Sequence, residues 1–514
     1  CALVVLGPMG FVWLGWKWQA AATSVGGLSG LVALLLGRSP TTPGTKGEAG
    51  KSDWKSLVLN KISCLAAPLF IVVFLVLLSF VTSLALHGFS GTDRGARFFV
   101  PQLVFPDSQW PWEILVDSGW LIVIGFILAC GLFGLVMALL LNVNKFSLHS
   151  IYRDRLIRAY LGASRLCRCP NPFTGFDPDD NMPMHQLREG NSPRPLHIIN
   201  IALNLVKGEN LAWQERKAET FTVSALHSGN FRLGYRRSED YGRNRKSGRA
   251  ISLGTAVTIS GAAASPNMGY HSSPVVTFLL ALFNVRLGWW LGNPGIHGQR
   301  TYKLSCPNIA IKPMIHEALG LTTNRNPYIY LSDGGHFENL GVYEMVLRRC
   351  HCIVVSDAGC DPECAFEDLG NAIRKVRIDL GVPIELKEPL IYSRRLADKA
   401  SRYCAIGTIN YQAVDGPSAR NGTLIYLKPV IRRGQPMDVF NYASTSAAFP
   451  HESTGDQFFS ETQFESYRML GCHTVEEIFR AGEPLRPNRG VPVSPLKQFV
   501  QCAEGYLRIA ESET

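Results

Sequence analysis

The stretch YIYLSDGGHFENLGVYEMV, residues 328–346, decides how the chain reads. Its first five residues are the apolar, β-rich run of a strand. An aspartate and two glycines come next, and then a helical pattern. A strand ending in Asp-Gly-Gly leaves the carboxylate of Asp333 on a loop beside a sheet, where α/β folds place ligands. Gly334 and Gly335 permit positive φ and close backbone approach, so a neighbouring group can reach that carboxylate. The same three residues are also consistent with a tight turn whose Asp bonds its own backbone or caps the next helix.

Around this stretch, strands alternate with helical segments. LHIINIAL (196–203) is apolar and β-rich, TAVTISGAAA (255–264) offers small residues for close helix packing, and HCIVVSDAG (351–359) carries another short buried strand. A helix is expected from about Glu338 to Arg349. Beyond residue 400, YCAIGTINYQ and GTLIYLKPV look like paired strands, with a mixed helical tail after them. This alternation predicts an α/β layer fold.

At 514 residues the chain is long enough for more than one unit, and only 18% of it is charged. Soluble chains carry about a quarter charged residues, so part of this one is expected to avoid water. Residues 64–86 and 120–141 contain no charged residue and are long enough to cross a bilayer; 20–36 is a shorter, Gly-rich third candidate. Basic residues cluster at Arg38, Lys46, Lys51 and Lys55, thin out to Arg94 and Arg97, and return at Lys145, Arg153, Arg155, Arg158, Arg165 and Arg168. That alternation puts everything after about residue 142 on the cytoplasmic side. Thirteen scattered cysteines are an odd count and suit reduced thiols there. The expected organisation is therefore a multi-pass membrane region (1–144), a basic helix-and-loop connector (145–194), an α/β domain (195–400) and an α+β extension (401–514).

The net charge of +10 is modest and spread along the chain, so nucleic acid is not an expected partner. The cysteines 350, 352, 360 and 364 match no common zinc spacing and read as buried strand thiols; no metal or cofactor is expected. Asp177, Asp179 and Asp180 lack the glycine and distal glutamate of a calcium loop and read as a polar turn. The basic run 231–249 suits either a solvated loop or an anionic membrane face. His336 is expected to pack or to cap the next helix.

The segments YIYLSDGGHFENLGVYEMVLRRCHCIVVSDAG and AISLGTAVTISGAAASPNMGYHSSPVVTFLLALFNVRLGWWLGNP closely resemble the later half of the patatin-like phospholipase domain in its large, membrane-embedded form. RPLHIINIALNLVKGENLAWQERKAETFT fits the same family upstream, so the resemblance covers roughly 195–390. It implies a membrane-anchored lipid acyl hydrolase with a Ser–Asp pair, in which Asp333 is the general base and Gly334 and Gly335 shape the site. Membrane lipids or lipid esters would be the substrates.

The sequence departs from that family at the nucleophile. The strained serine elbow needs glycine two residues before and two after the serine. Ser29, Ser164 and Ser252 each have only one of the two, and the Gly-rich oxyanion loop is missing. With a cysteine at position 1 and an apolar opening, the expectation is a fragment whose missing part carries the serine, inactive alone. The alternative is a non-catalytic membrane scaffold or partner-binding protein that keeps the fold.

Overall fold

The computed structural model describes residues 78, 82, 120–188, 195–207, 211–244, 247–268, 274–386, 389–394, 401–453, 459–481 and 494–512. The expected spans at 20–36 and 64–86 lie outside the described residues, apart from Leu78 and Thr82. Two compact units are present, Cys1–Phe337 and Glu338–Thr514, and the division falls inside the expected 195–400 domain, just past the Asp-Gly-Gly turn.

In the first unit, helix α1 (Trp120–Leu140) covers the apolar run read at 120–141. Among the described residues it is the one helix long and apolar enough to cross a membrane. Its side chains face outward almost throughout, from Trp120 to Leu140; only Ala138 is buried. An all-apolar surface on a helix is the reverse of the amphipathic pattern of soluble helices, and it fits a hydrocarbon environment. Helix α2 (Leu148–Leu156) comes next and runs into a π-helical turn at Ile157–Gly162.

A six-stranded sheet forms the body of this unit. Its strands are β1 (Ile198–Asn204), β2 (Ala218–Ser224), β3 (His227–Asn230), β4 (Gly234–Arg237), β5 (Trp289–Gly292) and β6 (Tyr328–Ser332), in spatial order β4-β3-β2-β1-β6-β5. Every neighbouring pair is antiparallel. The expected layer fold is thus a mixed α and β structure whose larger sheet is antiparallel throughout. The cause lies in the connections. Tight turns between β2, β3 and β4 allow only hairpin return, which needs no crossover helix.

Side-chain alternation along the strands builds two cores. Ile199, Ile201 and Leu203 of β1, Trp289 and Leu291 of β5, and Ile329 and Leu331 of β6 turn one way, against helix α3 (Leu253–Ser260). Trp290 and Tyr330 turn the other way, against Val143 and Ala310. Helix α3 is the small-residue segment foreseen at 255–264. Ser252 caps it by accepting the Thr255 N–H at 3.3 Å. Its Leu253 and Ile259 are buried, and each burial contributes about 1.5–3 kcal/mol. Gly254 lets the first turn press on the π-helix: a β-carbon there would come within 2.5 Å of Ile157. The unit also holds helices α4 (Pro274–Leu282) and α5 (Ile311–Ala318) and a short helix at Leu211–Arg216 between β1 and β2.

The second unit begins at Glu338. Helix α6 (Val342–Leu347) is shorter than the expected 338–349. Gly341 adopts a left-handed φ of 73°, and the Glu338 carboxylate accepts the Leu340 and Tyr343 N–H groups, so the chain turns before it can coil. Strand β7 (Cys352–Ser356) alternates between buried and exposed residues instead of being covered on both faces. Helix α7 (Glu367–Leu380) buries Leu369, Ala372 and Val376 at helical spacing. The sheet runs β7-β10-β9-β8, with β8 (Ile384–Leu386), β9 (Cys404–Ile409) and β10 (Gly422–Leu427). The pair foreseen beyond residue 400 is present in continuous antiparallel register from Gly422↔Ile409 to Leu427↔Cys404. Strands β7 and β10 are parallel. Helices α8 (Met437–Thr445), α9 (Glu461–Ala481) and α10 (Pro495–Ser512) form the tail.

Candidate functional site

Asp333 leaves the carboxyl end of β6 and caps a short 3-10 turn, Gly334–His336. Its Oδ1 accepts the Gly335 N–H at 2.8 Å, so the turn-forming role of the aspartate is real. The second carboxylate oxygen makes no hydrogen bond among the described residues, and the side chain is partly exposed. Burial lifts the carboxyl from 3.8 to about 6, against the opposing pull of the Gly335 N–H. One oxygen is anchored, and the other is free to take a proton near neutral pH.

Of the two uses expected for the glycines, one is realised. Neither Gly334 nor Gly335 has positive φ. Gly334 instead serves close approach, lying against the Asn200 carbonyl of β1. The site is braced from below by a chain of three polar side chains. Asn204 Nδ2 donates to Ser332 Oγ at 2.7 Å, and Ser332 Oγ pairs with His336 Nδ1 at 2.7 Å. His336 therefore bonds back to the strand that precedes it, rather than capping the next helix. Ser332 is the last residue of β6, so its hydroxyl can reach a side chain four residues on across the tight turn.

Tyr152 is a neighbour that sequence reasoning missed. Burial and then the charge of Asp333 push its phenol upward, and its hydroxyl sits over Gly261, just past the end of α3. Nothing in the basic connector around it, IYRDRL, marks that tyrosine out. Asn204 left a faint signal, as a polar residue closing an apolar strand.

The serines weighed as nucleophiles have other partners. Ser164 Oγ donates to the Leu161 carbonyl, and Ser252 caps α3. Ser29 lies outside the described residues. Ser260 Oγ, at the far end of α3, donates to the Asn200 carbonyl at 2.7 Å. No described serine is bonded to Asp333.

The remaining candidates resolve into structural roles. Asp177, Asp179 and Asp180 form a polar turn, as expected, with Asp177 capping the 3-10 segment Pro178–Asp180; Asp177 and Asp180 are buried in it, where Arg165 bonds both, at 2.9 and 2.7 Å, and Arg168 holds Asp180. Backbone N–H groups from Asp179 and Cys169 hold the Asp177 carboxyl below its usual range. Of the four clustered cysteines only Cys364 is buried; Cys350 and Cys352 are half-buried and Cys360 is exposed, which corrects their reading as buried strand thiols. Among the described residues, no three His, Cys, Asp or Glu side chains converge as a metal site would require. The described residues of the basic run 231–249 fold into β4 and its flanking turns, with Tyr241 fully buried and Arg243 paired to Asp240 at 2.7 Å. In the second unit, Lys428 and Asp357 form a buried pair at 3.0 Å, joined by the Tyr426 hydroxyl.

A cavity of about 900 Å³ lies in the first unit, between the end of α1 and the start of α3. Neither Asp333 nor its glycines line it.

No protein-family model matches the chain, and no curated protein matches it. Among solved structures, human GIVD cytosolic phospholipase A2 is similar at 15% identity with a TM-score of 0.34, over 61% of this chain and 45% of that one. The chain thus spans less than half the length of that structure, and a superposition this loose transfers neither fold detail nor activity.

Proposed function

We propose that the protein is a membrane-anchored acyl-ester hydrolase acting on lipid esters, with Asp333 as its general base. The observation that carries this reading is the Asp333 carboxylate itself, half-buried at a strand end, with one oxygen fixed and the other unbonded. A carboxylate in water is too weak a base to activate a hydroxyl. Raised to about 6, it works near neutral pH.

On this reading a serine presented by another segment meets the free oxygen. Its proton passes to Asp333 as Oγ attacks the ester carbonyl, and the tetrahedral oxyanion collapses to an acyl-serine. The departing alcohol takes the proton from Asp333, and water repeats the cycle to release the acid. The resemblance of residues 195–390 to the patatin-like domain gives Asp333 the same role. Helix α1 supports membrane attachment, since its outward apolar surface is long enough for a hydrocarbon core. The loop charges favour the cytoplasmic side for the residues beyond α1.

The scaffold reading has one observation in its favour, the lack of any described serine bonded to Asp333. One experiment separates the two. The longest form of the protein encoded by its gene, in native membranes, is assayed on a short-chain nitrophenyl ester. The hydrolase reading expects turnover that disappears in Asp333→Asn; turnover retained in that variant, or absent from the wild type, supports the scaffold.

A further inference from the structure

The cavity beside α1 has a chemistry that Asp333 does not use. One wall is apolar: Leu139, Leu140 and Leu141 close α1, and Phe146 comes soon after. The rest mixes apolar residues such as Ile251, Trp289 and Leu291 with polar ones and carries Lys145, Arg153 and Arg249, with no carboxylate among the described lining residues. Arg153 is paired with Asp154 at 3.0 Å, and Arg249 with Asp179 at 3.3 Å across an exposed gap. The Arg249 pair is exposed on both sides and holds its partner weakly, whereas Arg153 is half-buried and donates to Asp154 through both Nε and Nη2. Lys145 has no carboxylate partner among the described residues. Positive charge facing an apolar wall selects an anion attached to hydrocarbon.

Several apolar side chains place the mouth of the cavity at bilayer level. Leu140 is 74% exposed at the end of α1, and just beyond it Phe146 is 65% exposed and Ile151 63%. Helix α5 is tied to the same turn of α1 by a hydrogen bond from Ala310 N to the Ala138 carbonyl at 2.8 Å. It presents Ile311, Ile315 and Leu319 outward in one stripe, and its one carboxylate, Glu317, is buried against Arg286. Apolar surface continuing past the end of a spanning helix belongs in the headgroup and acyl boundary. Basic pockets at that depth recognise acidic lipid headgroups. The volume lies within the range of about 300–1,000 Å³ typical of ligand cavities.

The cavity is separate from the candidate base. Ser252 and Thr255, at the start of α3, line it, whereas Ser260 at the other end bonds the Asn200 carbonyl on which Gly334 packs. Eight residues of helix put about 12 Å between those ends.

We infer that this cavity binds an anionic, phosphate-bearing membrane lipid, its head among Lys145, Arg153 and Arg249 and its chains along the final turn of α1. The inference rests on the membrane-spanning reading of α1 and is independent of hydrolysis at Asp333.

The test uses the full chain in nanodiscs of phosphatidylcholine doped with phosphatidic acid, released into native mass spectrometry. Wild type is expected to retain phosphatidic acid in preference to phosphatidylcholine. Lys145→Glu and Arg249→Glu should each lower that retention about five-fold or more. Lys312→Glu, the same charge change on exposed α5 outside the cavity, should leave it unchanged. Unaltered retention in the two cavity variants overturns the inference, as does an equal fall in Lys312→Glu, which would mean diffuse surface attraction. Displacement of the lipid by inorganic phosphate alone overturns its assignment to a lipid. Alkaline carbonate extraction of wild type tests α1 separately: a protein that stays in the membrane yet retains no acidic lipid sinks only the cavity inference.

Discussion

Gly334 lies so close to Asn200 that a β-carbon on the glycine would come within 2.9 Å of the asparagine carbonyl oxygen. The contact joins the Asp-Gly-Gly turn to β1 through backbone, which cannot swing aside as a side chain could. Gly334→Ala should therefore cost about 1–3 kcal/mol, as overpacking does, and move the turn that aims Asp333. Thermal denaturation in detergent checks this. A melting temperature equal to wild type would mean that the turn is not held by that contact.

The bonds from Asn204 to Ser332 and from Ser332 to His336 predict a brace rather than a catalytic relay. Ser332→Ala removes both, at about 1 kcal/mol each. Stability should fall while the titration of Asp333 stays where it is. A shifted titration in Ser332→Ala would give that hydroxyl a direct role at the carboxylate.

Stability should depend on pH through Asp333. Its folded value of about 6 exceeds the ordinary 3.8, so between those values the folded form holds a proton that the unfolded form has lost. The stabilising contribution is complete below 3.8 and is lost as pH rises through 6. Asp333→Asn removes that loss. The variant should be more stable than wild type at pH 8, by at most about 3 kcal/mol given the partial exposure of the site, and match it near pH 4. A destabilised variant at pH 8 would show that the charge is compensated by groups other than the Gly335 N–H.

In the second unit, Lys428→Met strands the buried Asp357 carboxylate. Breaking a buried pair on one side costs about 3–5 kcal/mol. Adding Asp357→Asn should recover much of the loss, since of the two carboxylates that face Lys428 only the more exposed Asp361, at 3.5 Å, then keeps its charge. Failure of the double variant to recover would assign the cost to packing instead of charge.

The apolar runs were legible because burial is written into residue type. Residues 198–203, 328–332 and the pair beyond 400 are strands in the structure, and 120–140 is a helix. The direction of pairing was not legible, because the hairpins of β2, β3 and β4 lack a strong turn signature. The start of α6 at Val342 depends on the conformation of Gly341, and a glycine in a helical pattern does not announce its φ. Asp333 stood out by its place between strand and glycines. Tyr152 and the Arg165–Asp180 pair did not, because each is defined by a partner distant in sequence or turned inward by the fold.

The central claim is that Asp333 carries a base of raised affinity for protons at an open carboxylate. An infrared difference spectrum between wild type and Asp333→Asn, recorded across pH, isolates that single carboxyl. A protonated carbonyl band disappearing with a midpoint of about 6 is the predicted result. A midpoint near the ordinary 3.8 would contradict the account.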